Sequence, residues 1–131
     1  MTGLDTNVLV RFFAQDDQQQ SPKADEVMGS LTAESPGWVS VATILELVWV
    51  LGSKSRYDNN AITKTIDQLL LRDEIVIEQA NVIHNALNLC RKGNVDFADC
   101  LIAVFAKAAG CSRTVTFDRK AALDAGMELI V

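Results

Sequence analysis

Short apolar runs alternate with helix-length segments along the whole chain, and this alternation restricts the fold more than any other feature. Parallel strands cannot be joined by a tight turn; each needs a crossover, usually a helix. A first strand ends near Asp5 and leads into a helix whose expected buried face carries Val8, Leu9, Phe12 and Phe13. The polar patch Gln15 to Gln20 reads as a loop, and Ser21-Pro22 as the N-cap and first position of a helix running toward residue 33. Gly37 to Ser40 is a second strand, followed by a strongly apolar helix from Ala42 to Leu51 that stops at Gly52. Asp58 caps a helix through about Leu71, Ile75 to Ile77 is a third strand, and a helix from about Gln79 to Arg91 ends at Gly93. Asp96 opens a helix to Ala109, stopped by Gly110. Thr114 to Phe117 is a fourth strand, and a helix over Arg119 to Asp124 precedes a short fifth, Leu129 to Val131. The pattern predicts an α/β fold with a mainly parallel, about five-stranded sheet. The length of 131 residues predicts a single domain over 1–131.

Composition narrows the class. Hydrophobic residues at 49% and charged residues at 22% exclude a disordered chain. A net charge of −5 excludes a basic, sequence-independent nucleic-acid coat. Cys90, Cys100 and Cys111 are odd in number and lack CxxC spacing, so they suggest neither a disulfide framework nor a zinc site. Cys90 and Cys100 are expected to be small buried residues, and Trp38 and Trp49 core or interface aromatics. The N-terminal residues Met1 to Asp5 lack a basic region and a cleavage site, and no apolar run approaches a transmembrane length. A cytoplasmic protein with no membrane association is expected.

The candidate chemistry lies in five carboxylates: Asp5, Glu46, Asp96, Asp99 and Asp118. Ligands of open α/β sheets bind beyond the carboxyl ends of the strands. Asp5 and Asp118 stand at the carboxyl ends of the first and fourth strands, and Glu46 lies about one turn into the helix after the second. The helix from Asp96 must return antiparallel to the fourth strand. Residues 97–109 span about 20 Å as helix, against about 17 Å for the strand. Its first turn, with Asp96 and Asp99, is therefore expected at the same edge. Like charges held close need a cation, and oxygen ligands suit Mg2+ or Mn2+ rather than zinc. The single histidine, His84, lies in a helix away from this edge. An acidic Mg2+ site serves to hold phosphates and activate water for attack on a phosphodiester.

Simpler readings stand beside this one. Asp5, Asp96 and Asp118 are all suited to helix capping, and Asp99 to the positive end of a helix. Glu46 shares a helical stripe with Thr43 and Ser53 that fits a solvent-facing side. Asp16, Asp17, Asp25, Glu26 and Asp73 read as solvated surface charges.

The motifs together resemble those of a known family. Gly3-Leu4-Asp5-Thr6-Asn7-Val8-Leu9-Val10-Arg11-Phe12 is similar to the opening strand and helix of PIN-domain proteins, in particular VapC-like toxin ribonucleases of toxin–antitoxin pairs. Ser40 to Leu47, Asp96 to Ala103, and Val115-Thr116-Phe117-Asp118-Arg119 resemble the second, third and fourth acidic motifs of that family, in family order. The resemblance implies a three-layer α/β/α sandwich and Mg2+- or Mn2+-dependent RNA cleavage. Asp5, Glu46, Asp99 and Asp118 would form the acidic quartet. Asp96 matches a further acid of part of the family and is a candidate metal ligand with them. Thr6, Asn7, Asp96 and Thr116 would orient carboxylates or water. The resemblance also implies a homodimer silenced by an antitoxin whose C-terminal segment enters the site; an acidic cleft would attract a basic segment.

Arg11, Arg119 and Lys120 are candidate contacts to flanking phosphates of an RNA substrate, with ordinary surface charge as the simpler reading. Two other function classes fit parts of the pattern: a phosphoacceptor receiver domain, and a catalytically silent acidic-cleft module that binds a basic partner peptide. Of 17 acids, setting aside the five candidates leaves 12 against 12 Lys and Arg. The net acidity therefore equals the charge of the candidate site.

Overall fold

Backbone N–H groups in the first turn of a helix have no partner within it, so a short polar side chain just before the helix fixes where it starts. The computed structural model describes residues 1–93 and 95–131. In chain order its elements are β1 (Thr2–Gly3), α1 (Thr6–Ala14), α2 (Gln20–Gly29), β2 (Gly37–Val39), α3 (Val41–Gly52), α4 (Asn59–Leu70), β3 (Ile75–Ile77), α5 (Ala80–Gly93), α6 (Phe97–Ala108), β4 (Val115–Thr116), α7 (Arg119–Ala125) and β5 (Glu128–Leu129). Asp5, Ser40, Asp58, Asp96 and Asp118 cap α1, α3, α4, α6 and α7 through their side-chain oxygens. The chain forms two compact units, Met1–Ala80 and Asn81–Val131.

In the first unit β2 is the central strand of a parallel sheet, with Thr2 and Gly3 opposite Gly37 and Trp38, and Gly37 to Val39 opposite Ile75 to Ile77. Gly37 is closely packed: a Cβ there would come to 2.8 Å from both Leu4 Cδ1 and Leu31 Cδ1, so those side-chain ends would have to shift to admit one. Helix α1 packs on α2 and α3, and α4 on α3 and β3. Leu9, Val39, Ile44, Leu47, Leu51, Ile66 and Leu69 are fully buried in this unit.

Two expectations are corrected here. The buried face of α1 is Thr6, Leu9, Val10 and Ala14, while Val8, Phe12 and Phe13 are only half-buried. Phe12 meets Phe13 edge-on at 5.1 Å and carries the Arg72 guanidinium 5.0 Å above its ring, so both rings sit at the rim of the core. Helix α2 starts at Gln20 and ends at Gly29, short of residue 33, and Ser21 is not its cap. Asp17 instead accepts from the N–H groups of Gln19 and Gln20 at 3.0 and 2.8 Å, and buried Ser21 donates to the Arg11 carbonyl at 2.9 Å. Trp38 is half-buried, but Trp49 is 80% exposed, because α3 turns Ile44, Leu47, Val48 and Leu51 inward and leaves Leu45 and Trp49 outside.

In the second unit α6 packs on α7, and α7 on β4 and β5. Val115 and Thr116 pair in parallel with Glu128 and Leu129. Gly110 follows α6 at φ +96°, the left-handed conformation that ends a helix at little cost for glycine. Ile83, Leu87, Cys90, Val95, Phe97 and Cys100 are buried. The five expected strands are all present, and every pairing is parallel, as an α/β fold requires. They pair as a three-stranded and a two-stranded sheet rather than as one sheet of about five. Strands β1, β4 and β5 have two residues each, which limits each ladder to few hydrogen bonds. No described helix is long and apolar enough to cross a membrane.

The cysteines divide as their surroundings dictate. Cys90 Sγ donates to the Val95 carbonyl at 2.7 Å, and burial pushes the Cys100 thiol up to about 12. Cys111 is exposed. Thiolates are the reactive form, so a thiol reagent at pH 8 should modify Cys111 quickly in the native protein, and Cys90 and Cys100 only after unfolding. Rapid native reaction at all three would contradict this packing.

Candidate functional site

Three of the five candidate carboxylates lie in the second unit. Asp96 accepts from the N–H groups of Ala98 and Asp99 at 2.8 and 3.3 Å, so it caps α6. Asp99, in the first turn of that helix, is half-buried. Asp118 accepts from the N–H groups of Lys120 and Ala121 at 2.8 and 3.1 Å and caps α7. Burial, then the charges of Asp96 and Asp118, raise the Asp99 carboxyl above its ordinary value, while Lys120 pulls it back. Asp96, Asp99 and Asp118 therefore form one electrostatic group with Lys120 at its margin. Thr116 Oγ1 accepts from the Asp118 N–H at 3.0 Å, so this threonine holds the backbone of the last acid rather than its carboxylate.

The other two acids belong to the first unit. Asp5 accepts from the Thr6 N–H at 2.7 Å and stands just past β1, at the start of α1. Glu46 is exposed on α3, among the outward-facing residues that include Leu45 and Trp49. The start of α3 is doubly held: Ser40 Oγ accepts from the Thr43 N–H at 3.1 Å, and Glu78 accepts from the Val41 N–H at 2.9 Å. Thr6 is buried, whereas Asn7 is exposed. Among the described residues no three His, Cys, Asp or Glu side chains are grouped as a ready-made metal cage. His84 is exposed on α5.

Of the candidate cations, Arg119 and Lys120 are exposed in the first turn of α7. Arg11 is tied into its own unit: its Nε donates to Gln20 Oε1 at 2.7 Å, and its guanidinium pairs with Asp16 at 3.4 Å and Asp17 at 4.0 Å. Asp16 also receives Lys54 at 2.8 Å, which lowers its carboxyl; the Gln20 and Gln19 N–H groups do the same for Asp17. These two acids thus lie at the surface, as expected of solvated charges, and make local ion pairs and hydrogen bonds there. Sequence reasoning passed over Gln20 and Lys23, which line a recess of about 230 Å³ beside α1 together with Asn7 and Arg11. Gln20, Lys23, Ala24 and Val27 share the spacing of one helix face, and of these only Gln20 lies outside the helix expected from Ser21 onward.

The sequence pattern of the PIN domain matches residues 4–125. The VapC ribonuclease of Aquifex aeolicus (strain VF5) is 26% identical over 118 residues, covering 89% of this chain and 87% of that protein. Among solved structures, the crystal structure of FitAcB from Neisseria gonorrhoeae aligns with 100% of this chain and 97% of its own at 18% identity and a TM-score of 0.38. The structure of FitAB bound to IR36 DNA fragment aligns with 99% of this chain and 94% of its own at 19% identity and a TM-score of 0.42. At those TM-scores the structural likeness carries no weight of its own.

The raised Asp99 carboxyl fixes the sign of a pH effect. A carboxyl raised on folding favours the folded state below its ordinary pKa, 3.8, and that contribution is lost as pH rises through the folded value. In metal-free buffer the melting temperature of Asp99→Asn should therefore gain on wild type as pH rises from about 4 toward neutrality. A constant gap would show that Asp99 is not under this charge stress. Capping is separable from charge: Asp118→Ala should cost about 1 kcal/mol, and Asp118→Asn only a few tenths. Equal losses in denaturant melts would contradict the cap.

Proposed function

This chain belongs to the PIN-domain family, and from that premise we propose that it is a metal-dependent endoribonuclease that hydrolyses RNA phosphodiester bonds as the toxin of a toxin–antitoxin pair. The carrying observation is the PIN match over residues 4–125, which contains all four acidic motifs and runs through both compact units. That span supports reading 1–131 as one domain, and it removes the receiver-domain alternative. The similarity to a VapC ribonuclease supports RNA as substrate.

Asp5, Glu46, Asp99 and Asp118 are proposed as the acidic quartet by motif, with Asp96 as an additional ligand. The donor set fits a hard divalent ion, Mg2+ or Mn2+, because it is all oxygen. The charges of Asp96 and Asp118 already act against ionisation of Asp99, a conflict that a cation relieves. Mg2+ is commonly bound through one or two carboxylates and several waters, so it does not require a preformed cage of three. When bound, such an ion lowers the pKa of a water and neutralises phosphate charge.

The chain's own residues supply placement. Asp118 is fixed by its two hydrogen bonds from α7 and by the Thr116 contact to its N–H. Lys120, next to the acids, and Arg119 are placed to meet phosphates flanking the cut bond, and Asn7 to orient water near Asp5. The partners proposed are an antitoxin presenting a basic segment to the acids and a second copy of the chain. The exposed Leu45 and Trp49 on α3 supply the kind of apolar surface a protein partner covers. The proposed location is the cytoplasm.

Purified, antitoxin-free protein should cleave RNA in Mg2+ or Mn2+ and stop on EDTA addition. Asp99→Asn should lose at least about 100-fold in rate while remaining folded by circular dichroism. Undiminished cleavage by Asp99→Asn would sink the assignment. If a basic antitoxin segment competes with the cation, raising Mg2+ should weaken inhibition; an inhibition constant independent of Mg2+ would contradict that competition.

A further inference from the structure

Two candidate acids lie in the first unit, and they are held differently. Asp5 is tied to the Thr6 N–H at 2.7 Å. The exposed Glu46 side chain has no hydrogen bond or ion pair among the described residues. Its position is therefore set by the backbone of α3. Glu46 lies five residues beyond Val41, about 7.5 Å along the helix axis. A tilt of about 10° at the start of α3 moves it by about 1 Å, whereas metal–ligand distances hold to within about 0.2 Å. Whatever fixes the start of α3 thus fixes this acid.

Three contacts do so. Ser40 Oγ accepts from the Thr43 N–H at 3.1 Å, which starts the helix but is local to it. Glu78 supplies the other two, and both reach from the end of β3. Its N–H donates to the Val39 carbonyl at 2.9 Å, and its Oε1 accepts from the Val41 N–H at 2.9 Å. These bonds grip the chain on either side of Ser40. They continue the β2–β3 ladder, in which Val39 stands opposite Ile77, into the first residue of α3. Gln79 follows at φ +50°, a conformation uncommon outside glycine, so the chain turns away directly after Glu78. Burial of Ile44, Leu47, Val48 and Leu51 decides which face of α3 points inward. Apolar burial is non-directional, and hydrogen bonds are directional, so the grip on the helix start adds what packing does not.

We infer that Glu78 is a positioning residue: it anchors the start of α3 to β3 and thereby holds Glu46 where a divalent cation needs it. The inference rests on the metal-dependent reading of Glu46 and adds a residue outside the four acidic motifs. The property used is the acceptor oxygen rather than the charge, because Oε1 is committed to the Val41 N–H.

The test uses the full chain and reads Mn2+ affinity by loss of the free-ion electron paramagnetic resonance signal, with circular dichroism as the check on folding. Glu78→Leu should raise the Mn2+ Kd about tenfold and lower kcat for RNA cleavage by a similar factor, with KM unchanged. Glu78→Gln retains an acceptor oxygen and should stay close to wild type. Val41→Pro removes the donor instead. Val41 is the first residue of α3, where proline is accepted, and Ser40 at φ −78°, ψ 161° already has the conformation required before proline. It should reproduce the Glu78→Leu loss with the helix intact. Asp58→Ala removes a cap from α4 in the same unit and should leave Mn2+ affinity unchanged. In a Glu46→Gln background the Glu78→Leu loss should vanish, because both changes act through one ligand.

An equal loss in the two backgrounds would overturn the positioning role, as would Mn2+ affinity unaffected by Glu78→Leu and Val41→Pro. Glu78→Gln as weak as Glu78→Leu would show that the charge matters and overturn the anchor. Wild type that binds Mn2+ with this coupling but cleaves no RNA would remove the ribonuclease reading and leave Glu78 in its role. Wild type that takes up no Mn2+ would overturn both.

Discussion

A short carboxylate at the start of a helix accepts hydrogen bonds from backbone N–H groups that have no other partner, and the rest of this structure depends on that interaction. Asp5, Asp96 and Asp118 each perform it, for α1, α6 and α7. A parallel β/α chain places helix starts just beyond strand ends, so the residues that fix element boundaries stand where a substrate is met. Capping and the proposed chemistry are therefore compatible in these aspartates. The cap orients the carboxylate and leaves lone pairs for a cation. Asn substitution retains the cap and removes the charge that the proposed cation binding requires.

The helix ends also carry an electrostatic conflict. The positive end of α6 favours Asp99 as an anion, but burial and the charges of Asp96 and Asp118 outweigh it and raise the carboxyl. A fold without use for this acid gains from replacing it. In the proposed enzyme a divalent cation would relieve that conflict. The same reasoning changes the meaning of the net charge of −5: the acidity is that of the candidate site, while the remaining chain is neutral.

Much of this was legible in the sequence, because local rules operated where they were applied. Asp58, Asp96 and Asp118 announced their helices, and Gly110 the end of α6. Cys90, Cys100 and His84 took the buried and exposed positions their settings implied. Other features rested on partners distant in sequence. Ser21-Pro22 looked like a cap, but Asp17 supplied that function and Ser21 went to the Arg11 carbonyl, so α2 began earlier. The inward face of α1 differs from the one its periodicity predicts because Arg72, from beyond α4, covers Phe12 and lets it stay at the rim. Two-residue strands carry too little pattern to fix their pairing, so a single sheet was expected where two occur. The recess beside α1 was invisible because it depends on two helices meeting.

The central claim is that the carboxylates of this chain hold a divalent cation through Asp99. Titration of the purified protein with Mn2+, read by loss of the free-ion electron paramagnetic resonance signal, tests it most directly. Saturable uptake by wild type that is lost or strongly weakened in Asp99→Asn, with circular dichroism unchanged, is the expected result. Equal Mn2+ uptake by the two proteins, or none by wild type, would contradict the account.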